Sequence, residues 1–482
     1  NTYPTQEITA GPSVGSLWNK LLFALRFGSE QILFSSRATT DSQILFDRDP
    51  ADRVAKVAPY LTLDSRVYPA VVDQRVVWIV DGYTTSDAYP YSTSKALDAA
   101  TTDSLTARSD VISALPPAEV NYVRNSVKAT VDAYTGAVTL YAWDDADPVL
   151  KAWQQTFPGT VKPLADISGD LMSHLRYPED MFKIQRDLLS TYHVSDAAGF
   201  YSGQDFWLTP DDPTVTGKKQ PPYYLTLKMP DQDKPVFSLT STFIPGGNTD
   251  RNVLTGFLAV DAEPGNEAGV RSPGYGTLRL LELPRNTTVP GPGQVQNNFD
   301  ANTAVSSYLN LLRQGSSTVV QGNLLTLPVG GGLLYVQPVY VQSTQDTKFP
   351  LLQRVLVAFG DQIGFSETLA GALDQVFGGD AGVDNPTPGT DAGSVPDAPV
   401  EGTPGDGSTA SPSPSATPSS PATTGPTTDA KTRLSAALAE ANQAIKDGQA
   451  ALAQNDFAAY GAAQARLQAA LEAAIAAENE LG

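Results

Sequence analysis

The segment from residue 378 to residue 430 constrains the architecture of this chain more than any other stretch. It contains ten prolines, seven acidic residues and no lysine or arginine, with almost no large apolar side chain. Such a composition buries too little apolar surface to offset the entropy lost on ordering, so we expect a disordered, acidic linker rich in Pro, Thr, Ser and Gly. The linker would separate a body of about residues 1–377 from a tail of residues 431–482.

The body is longer than one hydrophobic core normally supports. With 482 residues in the chain, we expect either two subdomains or one large irregular sheet assembly within it. We favour an N-terminal α+β subdomain at residues 1–160 and a strand-rich α+β subdomain at residues 161–377.

The charge of the chain excludes one class of partner. The net charge is -20, of which the linker contributes -7, the tail -2 and the body -11. Nucleic-acid binding requires clustered lysine and arginine, so an acidic body without a basic run argues against nucleic acid. The same acidity disfavours electrostatic binding to anionic lipid headgroups.

Cysteine and long apolar runs are both missing from the sequence. Without cysteine, a disulfide framework and a thiol-ligated zinc site are excluded. No run approaches the 18 apolar residues that indicate a membrane span, and no signal peptide is recognisable. The chain begins at Asn1 rather than Met, so we expect the natural protein to carry a segment upstream.

Apolar spacing and capping residues predict several helices in the body. Leucine and tryptophan recur at helical spacing from residue 17 to residue 27, with Ser16 as the N-cap and Gly28 as the stop. Other helices are predicted after Asp49-Pro50, Asp147-Pro148 and Pro178-Glu179, and at residues 302–313 and 367–377.

Period-two alternation predicts strands over much of the body. Hairpins are predicted from residues 68–72 and 76–80, and from residues 127–133 and 138–143. Further strands are predicted at residues 223–229, 236–244, 253–260, 276–283, 318–327, 333–341 and 354–359. Because strands mostly follow strands, we predict the α+β class, with a largely antiparallel body and several helices.

The tail has a different pattern, in which alanine dominates. Apolar residues at helical spacing mark one helix over residues 434–452 and a second over residues 460–475, which predicts an α-helical hairpin at residues 431–482. Its apolar stripe is thin, so the hairpin would be marginal alone and would rest on the body or on a partner.

No catalytic or metal-binding signature emerges from the residues. The only histidines, His174 and His193, have no glutamate or histidine partner at zinc-binding spacing, and polar positions beside a helix explain them better. The run Gly11-Pro12-Ser13-Val14-Gly15 has the Gly-x-Ser-x-Gly spacing, but no predicted strand precedes it, as a nucleophile elbow requires. We therefore assign no catalytic, cofactor-binding or metal-binding residue and no cofactor, and we favour a protein that is not an enzyme.

Glycine and aspartate clusters have structural explanations. Residues 330–332 precede a predicted strand, which indicates a hairpin turn and not a phosphate cradle. Residues 291–293 precede a helix at which an anion could bind, although Gly-Pro-Gly is ordinary loop chemistry. Aspartates at 144–147, 211–212 and 231–233 could bind calcium or act in glycoside hydrolysis, yet turns and caps explain them better.

The first helix has two interpretations. Its apolar residues include Trp18, and Lys20 and Arg26 flank them, which is the composition of a helix lying in a membrane interface. Two basic residues are few for that role, so we favour packing of this helix in the core.

Several runs of the body resemble a known family. The runs are residues 276–284, 291–298, 311–315, 322–328 and 330–336, with supporting runs at 8–15, 48–50, 57–61, 78–83, 176–180 and 201–207. Together they strongly resemble the uncharacterised protein family numbered 0182, whose members are large multi-pass membrane proteins of actinobacteria and some other bacteria.

The resemblance implies a location more than an activity. In such proteins several transmembrane helices precede a large extracytoplasmic portion, and this chain resembles that portion without its anchor. The resemblance therefore implies the cell membrane, extracytoplasmic face, with the protein's own N-terminal transmembrane helices as partners. It brings no agreed activity, no catalytic residue and no cofactor.

Three functional hypotheses follow. The leading one is a non-enzymatic module of the cell envelope that binds a protein, lipid or glycan partner. One alternative is a component of an envelope lipid or polysaccharide transporter, which a hydrophobic groove would support. The other is a carboxylate-dependent envelope hydrolase, which a cleft with paired acids would support.

Overall fold

The computed structural model describes residues 11–34, 39–109, 112–247, 252–284, 288–313, 317–343 and 349–379, with scattered helical positions between residues 433 and 476. The chain divides into two compact units, Asn1–Thr390 and Asp391–Gly482. The expected linker lies outside the described residues from position 380 onwards. The subdomain boundary at residue 160 stays a prediction.

Helices begin and end largely where capping residues indicate. Ser16 accepts a hydrogen bond from the Asn19 amide, Gly28 ends the first helix in the left-handed region, and Asp49 and Asp147 each cap a helix that starts with proline. The helices are α1 (Leu17–Phe27), α2 (Glu30–Phe34), α3 (Pro50–Val57), α4 (Leu97–Thr101), α5 (Ser104–Arg108), α6 (Pro148–Thr156), α7 (Gly169–His174), α8 (Glu179–Tyr192), α9 (Ala197–Ser202), α10 (Pro292–Ala301), α11 (Thr303–Arg313) and α12 (Leu369–Phe377).

Strands follow the period-two pattern and are mostly antiparallel. They are β1 (Thr62–Leu63), β2 (Tyr68–Val72), β3 (Arg75–Ser86), β4 (Lys95–Ala96), β5 (Glu119–Val120), β6 (Tyr122–Asp132), β7 (Val138–Ala142), β8 (Val161–Lys162), β9 (Trp207–Leu208), β10 (Tyr223–Leu227), β11 (Val236–Pro245), β12 (Gly256–Asp261), β13 (Leu278–Glu282), β14 (Ser317–Gln321), β15 (Leu325–Val329), β16 (Gly332–Ser343), β17 (Leu351–Phe359) and β18 (Gln362–Ser366). Helices and antiparallel sheets together confirm the predicted α+β class.

Three main sheets are formed. The first has the order β1-β3-β6-β7-β8, with β2 also paired to β3 and with β7 and β8 parallel. The second has the order β10-β11-β12-β13, with β9 paired to β11. The third has the order β14-β16-β17-β18, with β15 paired to β16. The second sheet ends at β13, which pairs with β12 on one side.

The second sheet has a core on each of its faces. On one face, Leu258 packs in a cluster with Phe182 of α8 and Tyr83 of the first sheet. On the other face, the neighbouring Phe257 packs with Met229. This alternation follows from the strand period of two, and it means that Trp207, which belongs to the first cluster, lies on the opposite face from Met229.

The prediction that the first helix packs in the core is wrong. Of the α1 side chains, Ala24 is buried, whereas Leu17, Trp18, Leu22 and Leu25 are exposed. The helical spacing of these residues reports one apolar face correctly, but spacing does not say what covers that face.

Helical residues define the tail where it is described. Arg466 lies 2.6 Å from Glu440 and 2.7 Å from Asp447, so its guanidinium joins two helical stretches that are well separated in sequence. Within the described part of the chain, no helix is both long enough and apolar enough to cross a bilayer.

Candidate functional site

The two histidines have different surroundings. The His174 Nδ1 atom lies 2.8 Å from the Asp170 carbonyl oxygen on its own helix. His193 stacks on Trp207 with 3.5 Å between ring centroids, and its Nδ1 atom lies 2.7 Å from the Leu189 carbonyl oxygen. Among the described residues, no group of three or more His, Asp or Glu side chains could hold a metal ion.

The aspartate clusters contain caps and ion pairs. Asp147 caps α6, and Asp144 forms an ion pair with Arg124. The Asp212 carboxylate accepts hydrogen bonds from the Thr214 amide and hydroxyl, at 2.8 and 2.6 Å. These carboxylates are therefore engaged in caps, turns and ion pairs of the fold itself.

The two glycine segments are also structural. Gly330 and Gly331 have positive φ angles of 59° and 78° and join β15 to β16, which confirms the predicted hairpin turn. At the start of α10, a Cβ added to Gly293 would lie 2.0 Å from Asn252 Nδ2. The Asn252 side chain therefore packs against the start of α10.

A buried ionic cluster surrounds Lys183 on α8. Its Nζ atom lies 2.8 Å from Asp103, 3.1 Å from Glu179 and 3.4 Å from Asp180, and all four side chains are at most 1% exposed. Burial lowers the pKa of Lys183, but the three carboxylates outweigh burial and raise that pKa above its usual value. Lys183 is therefore charged at neutral pH, and it ties α8 to the start of α5.

Asp64 extends this cluster towards the first sheet. Its carboxylate accepts hydrogen bonds from the Tyr83 hydroxyl, the Arg66 amide at 2.7 Å and the Asp180 amide at 3.0 Å. Burial and the neighbouring carboxylates of Asp180 and Asp81 raise the pKa of Asp64 well above its usual value. Because these groups are buried and paired with one another, we interpret the cluster as structural.

A polar cleft of about 480 Å³ opens beside the second sheet. Its carboxylates are Asp196, Asp205 and Glu282, and its ring-bearing wall includes His193, Phe206 and Trp207. The Thr255 hydroxyl, which also belongs to the lining, is buried without a hydrogen-bond partner among the described residues. A buried hydroxyl left unpaired can bond to a ligand or a water molecule.

Local structure fixes the polar cleft's walls. Asp196 caps α9 by accepting the Gly199 amide at 2.7 Å, which places its carboxylate at the rim. Trp207 lies between the His193 ring and Phe243, whose centroid is 5.2 Å from its own. The Trp207 ring is therefore held by stacking on His193 and by a tilted contact with Phe243.

An apolar cleft of about 630 Å³ lies at the end of the third sheet's β15–β16 hairpin. Apolar side chains and glycine backbone form most of its lining, and Lys228 and Glu282 are its charged members. The apolar lining comprises Met229, Pro230, Leu281, Leu283, Pro284, Val289, Pro328, Val329 and Leu333. This is the kind of surface that binds an alkyl chain.

The two clefts share one short segment of their lining. Glu282, Leu283 and Pro284, at the end of edge strand β13, line both of them. The polar cleft lies on the Trp207 face of the second sheet and the apolar cleft on the Met229 face. A molecule that contacts both clefts would have to pass around the edge of the sheet at this segment.

No sequence pattern predicted these clefts. Their walls come from segments that are far apart along the chain, such as His193, Glu282 and Val329. Three of the runs that carry the family resemblance nevertheless contribute lining residues to the clefts. They are residues 201–207, 276–284 and 330–336.

Comparisons with known proteins identify relatives but no activity. The profile of the uncharacterised protein family UPF0182 matches residues 1–312. A UPF0182 protein of Arthrobacter sp. (strain FB24) is 58% identical over 475 residues, which cover 98% of this chain and 45% of the relative. A UPF0182 protein of Kineococcus radiotolerans is 55% identical over 484 residues, with 98% and 46% covered. The chain thus spans about half the length of the curated relatives it matches, and no solved structure matches it.

Proposed function

The chain belongs to the uncharacterised protein family UPF0182, and on this premise we propose that it is a non-enzymatic binding module of the actinobacterial cell envelope. In this proposal the module lies on the extracytoplasmic face of the membrane and binds an amphiphilic lipid or glycolipid. The amphiphile's chain lies in the apolar cleft and its polar head in the polar cleft.

One observation supports this proposal above the others: the two clefts share the segment from Glu282 to Pro284. Burial of an alkyl chain against Leu283 and Val329 would provide affinity, because removing apolar surface from water is favourable. Carboxylates at the other end accept hydrogen bonds from hydroxyl or ammonium groups, and aromatic faces attract cations and pack against sugar rings.

Binding of a defined amphiphile tests the proposal. The probe is dodecyl maltoside below its critical micelle concentration, titrated into the full chain in a calorimeter, with maltose as the chainless comparison. Val329→Asp places a charge against the alkyl chain, and we expect about tenfold weaker binding because the carboxylate would lose hydration. Val270→Asp is the matched control, since Val270 is 47% exposed and Val329 is 46% exposed, and Val270 lines neither cleft.

Two results would overturn the binding proposal. One is the absence of heat on titration with dodecyl maltoside at two well-separated temperatures, since apolar burial changes the heat capacity, and the other is equal affinity in the two variants. Mass spectrometry of the probe after incubation tests the non-enzymatic part. Cleavage of the glycosidic bond would support the hydrolase alternative instead, with Asp196, Asp205 and Glu282 as its carboxylates.

The location is tested on the full-length protein in its native membrane. An epitope tag placed after Gly482 would be removed by protease added to intact cells if this part of the chain is extracytoplasmic. A tag that survives until the cells are broken would overturn that location.

A second candidate is supported by the volume of the apolar cleft alone. A cleft able to hold an alkyl chain also suits a component of an envelope lipid transporter. Transfer of a fluorescent lipid between donor and acceptor vesicles, accelerated by the wild-type chain and not by the Val329→Asp variant, would favour this candidate over a module that only binds.

A further inference from the structure

We propose that Arg176, in the segment between α7 and α8, anchors the carboxylate group of a small organic acid in a cavity between the first and second sheets. The cavity has a volume of about 370 Å³ and shares no lining residue with the polar cleft or the apolar cleft. The inference therefore goes beyond the proposed function and does not depend on it.

The first step is that the core fixes the backbone around Arg176. The Arg176 carbonyl oxygen accepts hydrogen bonds from Lys128 Nζ at 2.9 Å and from the Tyr275 hydroxyl at 3.3 Å. The next residue, Tyr177, donates its amide to the Ala262 carbonyl oxygen at 3.1 Å. Because Lys128 belongs to the first sheet and Ala262 follows the second, the segment that carries the Arg176 side chain is attached to both sheets.

The second step is that aromatic rings position the Arg176 guanidinium. Its Cζ atom lies 3.6 Å from the ring centroid of Tyr68 and 4.6 Å from that of Tyr224. The Tyr68 hydroxyl donates a hydrogen bond to the His174 carbonyl oxygen at 3.3 Å. The Tyr224 ring stacks on Phe237 with 5.4 Å between centroids. Contact with an aromatic face uses the face of a guanidinium and leaves the N–H groups at its edge available for hydrogen bonds.

The third step is that these N–H groups have no acceptor in the described part of the chain. The Arg176 guanidinium forms neither a hydrogen bond nor an ion pair with any described residue. Three other arginines that lie over aromatic rings, Arg26, Arg75 and Arg354, each also pair with a carboxylate. An arginine that is positioned in the same way and lacks a carboxylate partner can bind an anion from outside the chain.

The fourth step is that buried acids near Arg176 have partners of their own. Asp81 and Asp64 both act electrostatically on Tyr68, as Arg176 does. Asp81 forms an ion pair with Lys128, and both side chains are at most 2% exposed. The Asp64 carboxylate accepts hydrogen bonds from one hydroxyl and two backbone amides. The positive charge of Arg176 is therefore not used in an ion pair with either acid.

The composition of the cavity selects the chemical class of the anion. Arg176 lines the cavity together with apolar residues such as Leu175 and Phe237, and with the carboxylate of Glu263. Glu263 forms no ion pair with Arg176, and its negative charge opposes a dianion such as phosphate. A singly charged carboxylate matches the planar fork of a guanidinium through two parallel hydrogen bonds, and its carbon chain would pack against the apolar walls.

Binding of butanoate tests the inference on the full chain. Saturation-transfer NMR with sodium butanoate measures the dissociation constant, and butylammonium is the comparison probe of opposite charge. Arg176→Gln removes the guanidinium, and we expect binding at least about tenfold weaker because charge-assisted hydrogen bonds are lost. Arg176→Lys keeps the charge without the planar fork, so we expect an intermediate affinity. Arg271→Gln is the matched control, since Arg271 also lies over a ring, that of Trp143, but lines neither this cavity nor the two clefts.

A second variant keeps the test informative if the substitution of Arg176 disturbs folding. Glu263 is exposed, so we expect Glu263→Gln to keep the circular-dichroism spectrum and urea midpoint of wild type. This variant removes a negative charge from the cavity, and we expect butanoate to bind more tightly to it than to wild type. Weaker binding to Glu263→Gln would contradict a carboxylate ligand in this cavity.

Several further outcomes would overturn the inference. They are the absence of saturable butanoate binding, equal binding of butylammonium, and equal affinities of Arg176→Gln and Arg271→Gln. Displacement of butanoate by inorganic phosphate at a lower concentration than by acetate would assign the cavity to a phosphate ligand instead. Val329→Asp is expected to bind butanoate like wild type, so failure of the cleft proposal and failure of this one are distinguishable.

Discussion

Lys183 combines complete burial with three carboxylate neighbours, Asp103, Glu179 and Asp180. The transfer of charges from water to the interior is costly, and the attraction among them offsets that cost only while every partner is present. Lys183 therefore matters for stability mainly through what its removal would leave behind: Asp103 and Asp180 would lose their cation, and Glu179 would keep only its ion pair with Arg66.

We predict that Lys183→Met destabilises the body by about 3–5 kcal/mol, the usual cost of breaking a buried ion pair by removing one partner. Urea unfolding followed by circular dichroism measures the change. Lys56→Met is the control: Lys56 also forms a 2.7 Å ion pair, with Asp47, but is 59% exposed, so we expect a loss of at most about 1 kcal/mol. Equal losses in the two variants would contradict the structural role assigned to the cluster.

The ionic cluster could not have been predicted from the sequence. Glu179 and Asp180 lie in the first turn of α8, where the helix dipole favours acidic residues. That preference holds for exposed acidic residues as well, so it does not predict their burial. Their burial depends on Asp103 and Asp64, which come from α5's N-cap and from the loop after β1. No local pattern reports that these segments meet.

At the level of elements, two helices begin with the same Asp-Pro pair and have different surroundings. Asp49 accepts hydrogen bonds from the amides of Ala51 and Asp52 at the start of α3. Asp147, at the start of α6, accepts the equivalent amides and also three hydroxyl groups from β3 and β6. The three hydroxyl donors are those of Thr84, Ser126 and Tyr122. Asp147 therefore links a helix to a sheet, in addition to capping the helix.

We predict that Asp147→Ala costs about 2–4 kcal/mol, whereas Asp49→Ala costs about 1 kcal/mol. Both variants lose a cap, but Asp147→Ala also leaves buried hydroxyls without their acceptor. Thermal and urea unfolding of the two variants give the comparison directly. Equal losses of unfolding free energy in the two variants would contradict a stabilising contribution from the hydrogen bonds between Asp147 and the first sheet.

Local rules explain why the elements themselves were largely predictable. The Asp-Pro starts, the Ser16 and Gly28 boundaries and the Gly330-Gly331 turn all depend on neighbours within four residues. The burial of α1 was predicted wrongly because helical spacing identifies an apolar face without identifying its partner.

At the level of the whole molecule, the chain consists of two compact units, Asn1–Thr390 and Asp391–Gly482. The α+β core clusters named above all lie in the first of these units. The alanine-rich helical positions, with the Arg466 ion pairs, belong to the second.

We predict that a chain ending at Thr390 keeps the urea midpoint and near-ultraviolet spectrum of the full chain to within experimental error. The reason is that the first unit contains its own cores and sheets. Loss of a partner from envelope extracts without loss of folding would assign that partner to the tail. A large shift in midpoint would show that the two units stabilise each other.

The clefts also depend on the packing of the molecule as a whole, and for this reason no local sequence pattern predicted them. Their shared segment from Glu282 to Pro284 is contiguous, but the opposite walls come from the residues that follow α8 and from the β15–β16 hairpin. Only the packing of complete sheets brings these segments together.

The burial of Lys183 has a practical consequence for following the unfolding of this molecule. Acylating reagents react with uncharged, accessible amines, so this side chain is shielded while the interior is closed. Each opening of the interior would expose the amine, and the fraction of acylated Lys183 would therefore increase with the time that the chain spends unfolded.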